Sequence, residues 1–210
     1  MRKYLFIILS LIGMLPLQAQ DNATQLLQKT VSKLKQDGAL SITLEAETRD
    51  ASGTDIIELE LKMDGTSFFV KEDDNMMWFD GKTLWRGNDY GSGIEEIYIT
   101  EPTAQEKARY DIIGLLERHK GFAVSGNGKD TFTLTASNQE RSVEGISSVT
   151  VQVDPSTLTL RTVSVIFAED LGGLTASAKV KNYSPARSFD KKTFTCPVQQ
   201  YKDAEIIDLR

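Results

Sequence analysis

Residues 76–85 read Met-Met-Trp-Phe-Asp-Gly-Lys-Thr-Leu-Trp, two short runs of strand-forming residues separated by Asp80-Gly81. An Asp-Gly pair between such runs is a strong signal for a β-hairpin, and it predicts a type I′ turn in which both turn residues have φ above zero. This hairpin holds both tryptophans of the chain. Side chains of that size at the centre of a sheet either fill a core or line a cavity for an apolar ligand.

The composition is that of an ordinary globular chain. Of 210 residues, 40% are hydrophobic and 26% are charged, which fits one domain. The formal net charge is −6 and no basic run is present, which argues against nucleic acid or an anionic membrane surface as a partner.

The single His119 and the single Cys196 exclude a His/Cys metal cluster and an internal disulfide. We expect no catalysis, no metal and no cofactor, because nucleophile-elbow and phosphate-loop patterns are also missing. We expect His119 to end a helix and Cys196 to be a core residue of a strand.

Residues 1–19 have the features of a cleavable secretory signal peptide. Arg2 and Lys3 precede a short apolar run that ends near Leu17, and Ala19 is the expected cleavage position. The run is too short for a comfortable membrane span, and no later stretch approaches the roughly 18 apolar residues that spanning needs. We therefore expect an exported protein in which residues 20–210 form a single domain.

The next part of the chain changes from helical to strand periodicity. Residues 22–37 place leucines and valine on one stripe, and Gly38 is the expected end of this helix. From Ala39 onward, apolar and polar residues alternate with a period of two. Tight turns separate the runs, which indicates an antiparallel meander. The predicted strands cover residues 39–47, 57–63, 68–72, 76–85 (the hairpin), 94–99, 122–125, 131–136, 147–153, 159–168, 174–182 and 193–197.

One further helix interrupts the strands. Thr103 and Glu106 form a capping-box pattern, and residues 104–120 are predicted to be helical, with Gly121 as the stop. A single helix inserted into a run of strands is expected to lie across the sheet as a lid. The fold class is therefore α+β: an incomplete, unclosed antiparallel β-barrel, or strongly curved sheet, with an N-terminal helix and a helical lid over its concave apolar face.

The apolar side chains of this concave face and lid are the candidate ligand-binding residues. The alternative at each position is an ordinary core contact. The candidates are Leu44, Leu59, Leu61, Phe68, Val70, Met77, Phe79, Trp85, Val149, Val151, Val165 and Phe167 on the sheet, with Ile112, Ile113, Leu115 and Leu116 on the lid.

Three short motifs and the order of the elements resemble the LolA-like periplasmic carriers of outer-membrane lipoproteins. The motifs are Asp80-Gly81-Lys82-Thr83-Leu84-Trp85 in the central hairpin, Ile112-Ile113-Gly114-Leu115-Leu116 in the lid helix, and the ending Thr193-Phe194-Thr195-Cys196-Pro197 followed by Ala204-Glu205-Ile206-Ile207-Asp208. The family's arginine and proline between the second and third strands are missing, since residues 61–66 read Leu-Lys-Met-Asp-Gly-Thr. In the family that arginine ties the lid shut.

The resemblance implies a monomeric periplasmic carrier that shields the acyl chains of a lipoprotein or related lipid between the two membranes. It also implies two partners, an inner-membrane ABC-type exporter that loads the carrier and an outer-membrane acceptor that unloads it. The alternative is a non-transporting interaction or sensor module of the cell envelope that uses the same fold.

Overall fold

The protein is described by a computed structural model over residues 15–72, 75–91, 93–104, 107, 112–117, 122–137, 145–167 and 174–210. Two α-helices lie within these ranges, α1 (Leu15–Asp37) and α2 (Ile112–Glu117). Twelve strands accompany them: β1 (Ala39–Arg49), β2 (Thr54–Asp64), β3 (Ser67–Glu72), β4 (Asn75–Phe79), β5 (Leu84–Asp89), β6 (Ile94–Thr100), β7 (Phe122–Gly126), β8 (Thr131–Ala136), β9 (Ile146–Val153), β10 (Leu160–Phe167), β11 (Thr175–Ala186) and β12 (Glu205–Asp208).

All twelve strands belong to one large, strongly curved sheet. Its order is β12-β6-β5-β4-β3-β2-β1-β11-β10-β9-β8-β7, and β7 and β12 are the outermost strands, so the sheet does not close on itself. Neighbouring strands pair antiparallel, with one exception: β12 runs parallel to β6. The predicted fold class, an unclosed curved sheet with an N-terminal helix, is confirmed.

The sheet has an inner face, which carries α1, and an outer face. Pairing brings Leu40 opposite Met63, Ile42 opposite Leu61 and Leu44 opposite Leu59, and these side chains share the inner face because successive residues of a strand alternate. The outer face of the same strands carries Glu45, Glu58 and Glu60 among other charged and polar residues. The period-two pattern of the sequence thus separates the apolar interior from solvent.

Helix α1 packs on the inner face at the β7–β8 end of the sheet. Its stripe of Leu26, Leu27, Val31 and Leu34 is buried in one cluster that also includes Phe132 of β8. The helix begins at Leu15, earlier than predicted, so the expected cleavage position after Ala19 lies inside it. Because this buried stripe lies well beyond that position, cleavage would leave its core contacts intact.

Contacts with β11 and with the β7–β8 turn position α1 on the sheet. At its C-terminal end, the Tyr183 hydroxyl of β11 donates to Asp37 Oδ2 at 2.7 Å, and Lys33 forms an ion pair with the same carboxylate. At Asn22, in the first half of the helix, the β7–β8 turn approaches so closely that a Cβ at Gly128 would lie 2.3 Å from Asn22 Cβ. Gly128 also has a φ of +67°, in the left-handed region that glycine adopts without strain.

The central hairpin forms, but its predicted turn type is wrong. Phe79 pairs with Leu84, which leaves a four-residue connection instead of two. Gly81 has φ +94°, whereas Asp80 is not among the residues with positive φ. The Asp80 carboxylate accepts hydrogen bonds from the backbone N–H groups of Lys82 at 2.8 Å and Thr83 at 2.7 Å. This side-chain capping stabilises the longer turn, so a type I′ geometry is not required.

The predicted strand over residues 193–197 is also wrong. Lys191–Phe194 form a 3₁₀ helix, begun by Asp190, whose side chain accepts a hydrogen bond from Lys192 N at 2.9 Å. A second short 3₁₀ helix, Val198–Gln200, follows before β12. The hydrogen bond that the Asp190 side chain accepts stabilises this 3₁₀ helix, so Thr193 and Phe194 do not adopt the strand conformation that their residue types favour. The C-terminal segment thus crosses the outer face as irregular chain before it adds β12 to the edge of β6.

Several predictions lie outside the described residues. They concern the signal peptide through residue 14, Glu106 of the capping box, and His119 with Gly121 at the predicted end of the lid helix. Of the predicted lid, Ala104, Lys107 and α2 are described as helical, and Lys107 N donates to Thr103 O at 2.9 Å.

Candidate ligand-binding cavity

An apolar cavity of about 270 Å³ lies between the inner face of the sheet, α1 and α2. All fifteen side chains that line it are apolar. They are Leu34 of α1, Ile113 and Leu116 of α2, and Ile42, Leu44, Leu61, Met63, Ile146, Val149, Val151, Leu160, Val163, Val165, Ala178 and Val180 of the sheet. A cavity with such a lining offers no hydrogen-bond partner to water and favours apolar groups.

Seven of the predicted candidates line this cavity. They are Leu44, Leu61, Ile113, Leu116, Val149, Val151 and Val165. Strands β1, β2, β9, β10 and β11 form the sheet part of the wall, because these strands are neighbours in the middle of the curved sheet. Leu116 is 3% exposed and holds α2 against the shared core cluster, whereas Ile113 is only half-buried.

Four other candidates lie beside the cavity in a second inner-face cluster. Phe68 and Phe79 are buried against each other, with ring centroids 5.2 Å apart, and Val70 and Met77 pack around them. Leu61 and Met63 also contact this cluster, so its packing is continuous with the cavity wall. These candidates therefore fill space next to the cavity and do not line it.

Leu59 and Phe167 lie near the cavity without forming its wall. Leu59 pairs with Leu44 and shares the inner face, and Phe167 pairs with Ile146 beyond an irregularity in the β9–β10 register. Both side chains are half-buried. The side chains of Ile112 and Leu115 lie outside the described part of the chain.

Trp85 is on the opposite side of the sheet, and its predicted place in the lining is wrong. It pairs with Trp78 on the outer face, where both belong to a cluster with Ile97, Ile99 and Cys196. Trp78 is 4% exposed, and its ring centroid lies 6.1 Å from that of Tyr201 in the C-terminal segment. The reason is register: Met77 and Phe79 face inward, so Trp78 and its cross-strand partner must face outward.

Eight lining residues are not among the candidates. They are Leu34, Ile42, Met63, Ile146, Leu160, Val163, Ala178 and Val180. Three of them share the alternating pattern of candidates on the same strand: Ile42 is two residues from Leu44, Met63 two from Leu61, and Val163 two from Val165. Applying the period-two alternation along each strand predicts these three positions. Leu160, by contrast, lies at a register shift that no sequence pattern indicates.

The lid helix contacts α1 through both apolar and charged groups. Leu34 and Leu116 lie in the same cluster, and Lys35 of α1 forms an ion pair with Glu117 at the end of α2. Both charged side chains are about half exposed, and such pairs stabilise by only about 0–1 kcal/mol. The apolar contacts therefore contribute most of the attachment of α2.

The described residues contain no candidate metal site, and their one cysteine is buried. No group of three or more His, Cys, Asp and Glu side chains within them could hold a metal ion. Nor does any helix in the described ranges have the length and apolarity needed to cross a membrane. Cys196 is 5% exposed, and burial raises the pKa of its thiol to about 12, which disfavours the nucleophilic thiolate.

This burial predicts the reactivity of Cys196. At pH 8 the folded protein should react with Ellman's reagent at least about 100-fold more slowly than the chain unfolded in urea, because the folded thiol is both shielded and protonated. Stopped-flow absorbance under the two conditions measures the ratio. A native thiol that reacts as fast as the unfolded one would contradict the packing of the C-terminal segment on the outer face.

Comparison with known proteins agrees with this architecture. The chain is similar to an uncharacterized conserved protein from Thermus thermophilus, with a TM-score of 0.52 and 11% identity over 86% of this chain and 98% of that one. It is also similar to a LolA superfamily protein from Nitrosomonas europaea (TM-score 0.42, 13% identity, 82% and 97% coverage) and to the Mycobacterium tuberculosis lipoprotein LppX (TM-score 0.39, 9% identity, 78% and 99% coverage). No curated protein sequence matches significantly.

A match to a family model assigns the chain to a protein family. The model described as "Outer membrane lipoprotein carrier protein LolA" matches residues 15–164, well over half of the chain. The match spans α1, the central hairpin, α2 and the strands up to most of β10, and so includes most of the cavity wall. The chain therefore belongs to the LolA family of outer membrane lipoprotein carrier proteins.

Proposed function

We propose that this protein is a periplasmic carrier that shields the acyl chains of a lipoprotein, or of a related lipid, on the way from the inner to the outer membrane. The observation that carries the proposal is the cavity itself: about 270 Å³ of space walled by apolar side chains from the sheet and both helices. Family membership supports the same function.

The energetics explain why a carrier of this kind is useful. Each methylene group that leaves water gains roughly 0.8 kcal/mol, so exposed acyl chains would cost tens of kcal/mol in an aqueous compartment. An apolar cavity offsets that cost without specific hydrogen bonds. A lining of Leu, Val, Ile, Met and Ala also has no polar group that would select one chain over another.

The remaining parts of the proposal follow from the sequence and the family. Residues 1–19 would direct export and be removed, and residues 20–210 would act as one monomeric domain. An ABC-type exporter of the inner membrane would load the cargo, and an acceptor at the outer membrane would receive it. The contact of α2 with α1, apolar with one exposed ion pair, suits a lid that opens without large cost.

The direct test is retention of an acylated protein in solution. The purified carrier is incubated with membranes that hold a triacylated lipoprotein, the membranes are pelleted, and the supernatant is assayed for the lipoprotein. We expect the lipoprotein in the supernatant only when the carrier is present. The matched control is the same lipoprotein with its acylated cysteine replaced by serine, which should be soluble with or without the carrier.

The contrary outcome has a clear meaning. If the carrier releases no lipoprotein, and native mass spectrometry of protein purified from its own envelope also shows no lipid, the proposal fails. The alternative, an interaction or sensor module with the same fold, would then be favoured.

A further inference from the structure

We propose that Ala178 sets the length of acyl chain that the cavity encloses, and that this length is about eleven carbon atoms of a single chain. The inference rests on the proposed function, since it assumes that acyl chains enter the cavity. It adds to that function a chain-length limit and the residue that determines it.

The volume of the cavity limits how much of a chain fits inside. An engineered apolar cavity of about 150 Å³ binds benzene, a six-carbon ring, which corresponds to about 25 Å³ for each carbon atom. On that scale, the volume of about 270 Å³ found here accommodates about eleven carbons. A second chain of similar length would need as much space again, so the cavity encloses a large part of one chain.

Ala178 is the lowest point of the cavity floor. It contributes only a methyl group, whereas the other fourteen described lining residues are Leu, Ile, Val or Met. Two of these larger residues flank it: Val163 lies opposite on β10, and Val180 lies two residues further along β11. The space above the Ala178 methyl group therefore belongs to the volume that a chain can occupy.

The sheet holds the backbone at Ala178 in place. Strand β11 is paired along both of its edges at this position, with Val163 of β10 on one side and with Ala46 of β1 on the other. Strands β1 and β10 are paired in turn with β2 and β9. Because β11 cannot withdraw without breaking two ladders, a larger side chain at position 178 must extend into the cavity and take up volume there.

Lining residues on the helices are less suited to set the length. Ile113 and Leu116 belong to α2, whose described part is six residues long and whose contact with α1 includes an exposed ion pair. A shift of this short helix can accommodate a larger side chain at either position. Among the described lining residues, Ala178 thus combines the smallest side chain with a fixed backbone.

Affinity should therefore depend on chain length in two stages. Each methylene group that leaves water for the cavity should tighten binding about fourfold. Beyond about eleven carbons, further methylene groups remain outside and add little. A plot of the logarithm of affinity against chain length should show a break at that point.

The experiment measures this break with a series of straight-chain fatty acids of about eight to about sixteen carbons. Each acid is kept below its critical micelle concentration and displaces a fluorescent fatty acid analogue from the protein. Ala178→Leu adds three carbons to the lining, so the break should move from about eleven to about eight carbons. Val163→Ala removes two and should move the break in the opposite direction, to about thirteen.

Ser177→Leu is the matched control. Ser177 is the adjacent residue of β11 and lies on the outer face, where its hydroxyl is 3.0 Å from that of Ser164. A leucine there adds an apolar side chain to the same strand without entering the cavity, so the break should stay at about eleven carbons. Circular dichroism verifies that each variant is folded. If Ala178→Leu does not fold, Ala178→Val should move the break to about nine carbons.

Three results would overturn the inference. The first is an affinity that keeps rising through sixteen carbons in the unaltered protein. The second is a break that does not move in a folded Ala178→Leu or Ala178→Val variant, and the third is an equal movement in Ser177→Leu. If the unaltered protein still retains the lipoprotein in solution, any of these leaves the carrier function intact. If it binds no fatty acid of the series and retains no lipoprotein, both proposals fail.

Discussion

Replacing Val163 with glutamate is expected to reduce acyl-chain binding at least tenfold while the protein stays folded. Val163 lines the cavity from β10 and is half-buried, so a carboxylate there would face apolar groups of the sheet and the lid. An acyl chain entering beside it would have to strip water from the charge without supplying a hydrogen bond. Displacement of a fluorescent fatty acid analogue measures the change, and retention of lipoprotein in the supernatant should fall in parallel.

Ser164→Glu provides the control for that result. Ser164 is the adjacent residue of the same strand and lies on the outer face, where its hydroxyl is 3.0 Å from that of Ser177. The same charge at this position should leave binding unchanged. If Val163→Glu unfolds the protein, Ala178→Phe tests the same cavity by filling it with an apolar side chain. Unaltered binding in a folded Val163→Glu or Ala178→Phe variant would show that cargo does not occupy the cavity.

The second large effect concerns stability. Phe132 of β8 is fully buried in the cluster that joins α1 to the sheet. Its truncation to alanine should cost about 3–5 kcal/mol, a large share of the roughly 5–15 kcal/mol that is usual for a domain. Urea unfolding followed by circular dichroism measures the difference, and the melting temperature should fall by roughly 10 °C.

Thr133→Ala tests the neighbouring position on the opposite face. The Thr133 hydroxyl lies 3.0 Å from that of Thr150 on the outer face, and this contact is worth about 1 kcal/mol or less. A loss from Phe132→Ala no greater than that from Thr133→Ala would mean that α1 is not held by this cluster in solution.

Local patterns in the sequence predict most of the framework. The stripe of α1 and the alternation in β1, β2 and β8–β11 follow from the separation of apolar from polar surface, which repeats every few residues and can be read without tertiary information. These elements also supply several of the candidates that line the cavity, such as Leu44, Leu61, Val149 and Val151.

The sequence predictions are wrong where contacts between residues far apart in the chain determine the structure. Trp85 is wrongly predicted to line the cavity because both faces of the β4–β5 hairpin are apolar, so composition alone does not say which side faces the cavity. The outer side is covered by the C-terminal segment, which lies far from the hairpin in the sequence. Residues 193–197 belong to this segment, and they do not form the predicted strand where the segment crosses the outer face. Likewise, the parallel pairing of β12 with β6 joins Ile206 to Ile97, positions far apart in the chain, and no local signal encodes it.

The outward placement of both tryptophans has a practical consequence for spectroscopy. Trp78 and Trp85 lie beneath the C-terminal segment, with the full thickness of the sheet between them and the cavity. Their intrinsic emission therefore monitors whether that segment stays docked and is a poor reporter of occupancy. A fluorophore or isotope label intended to follow loading and release belongs on an inward-facing position such as Met77 or Met63.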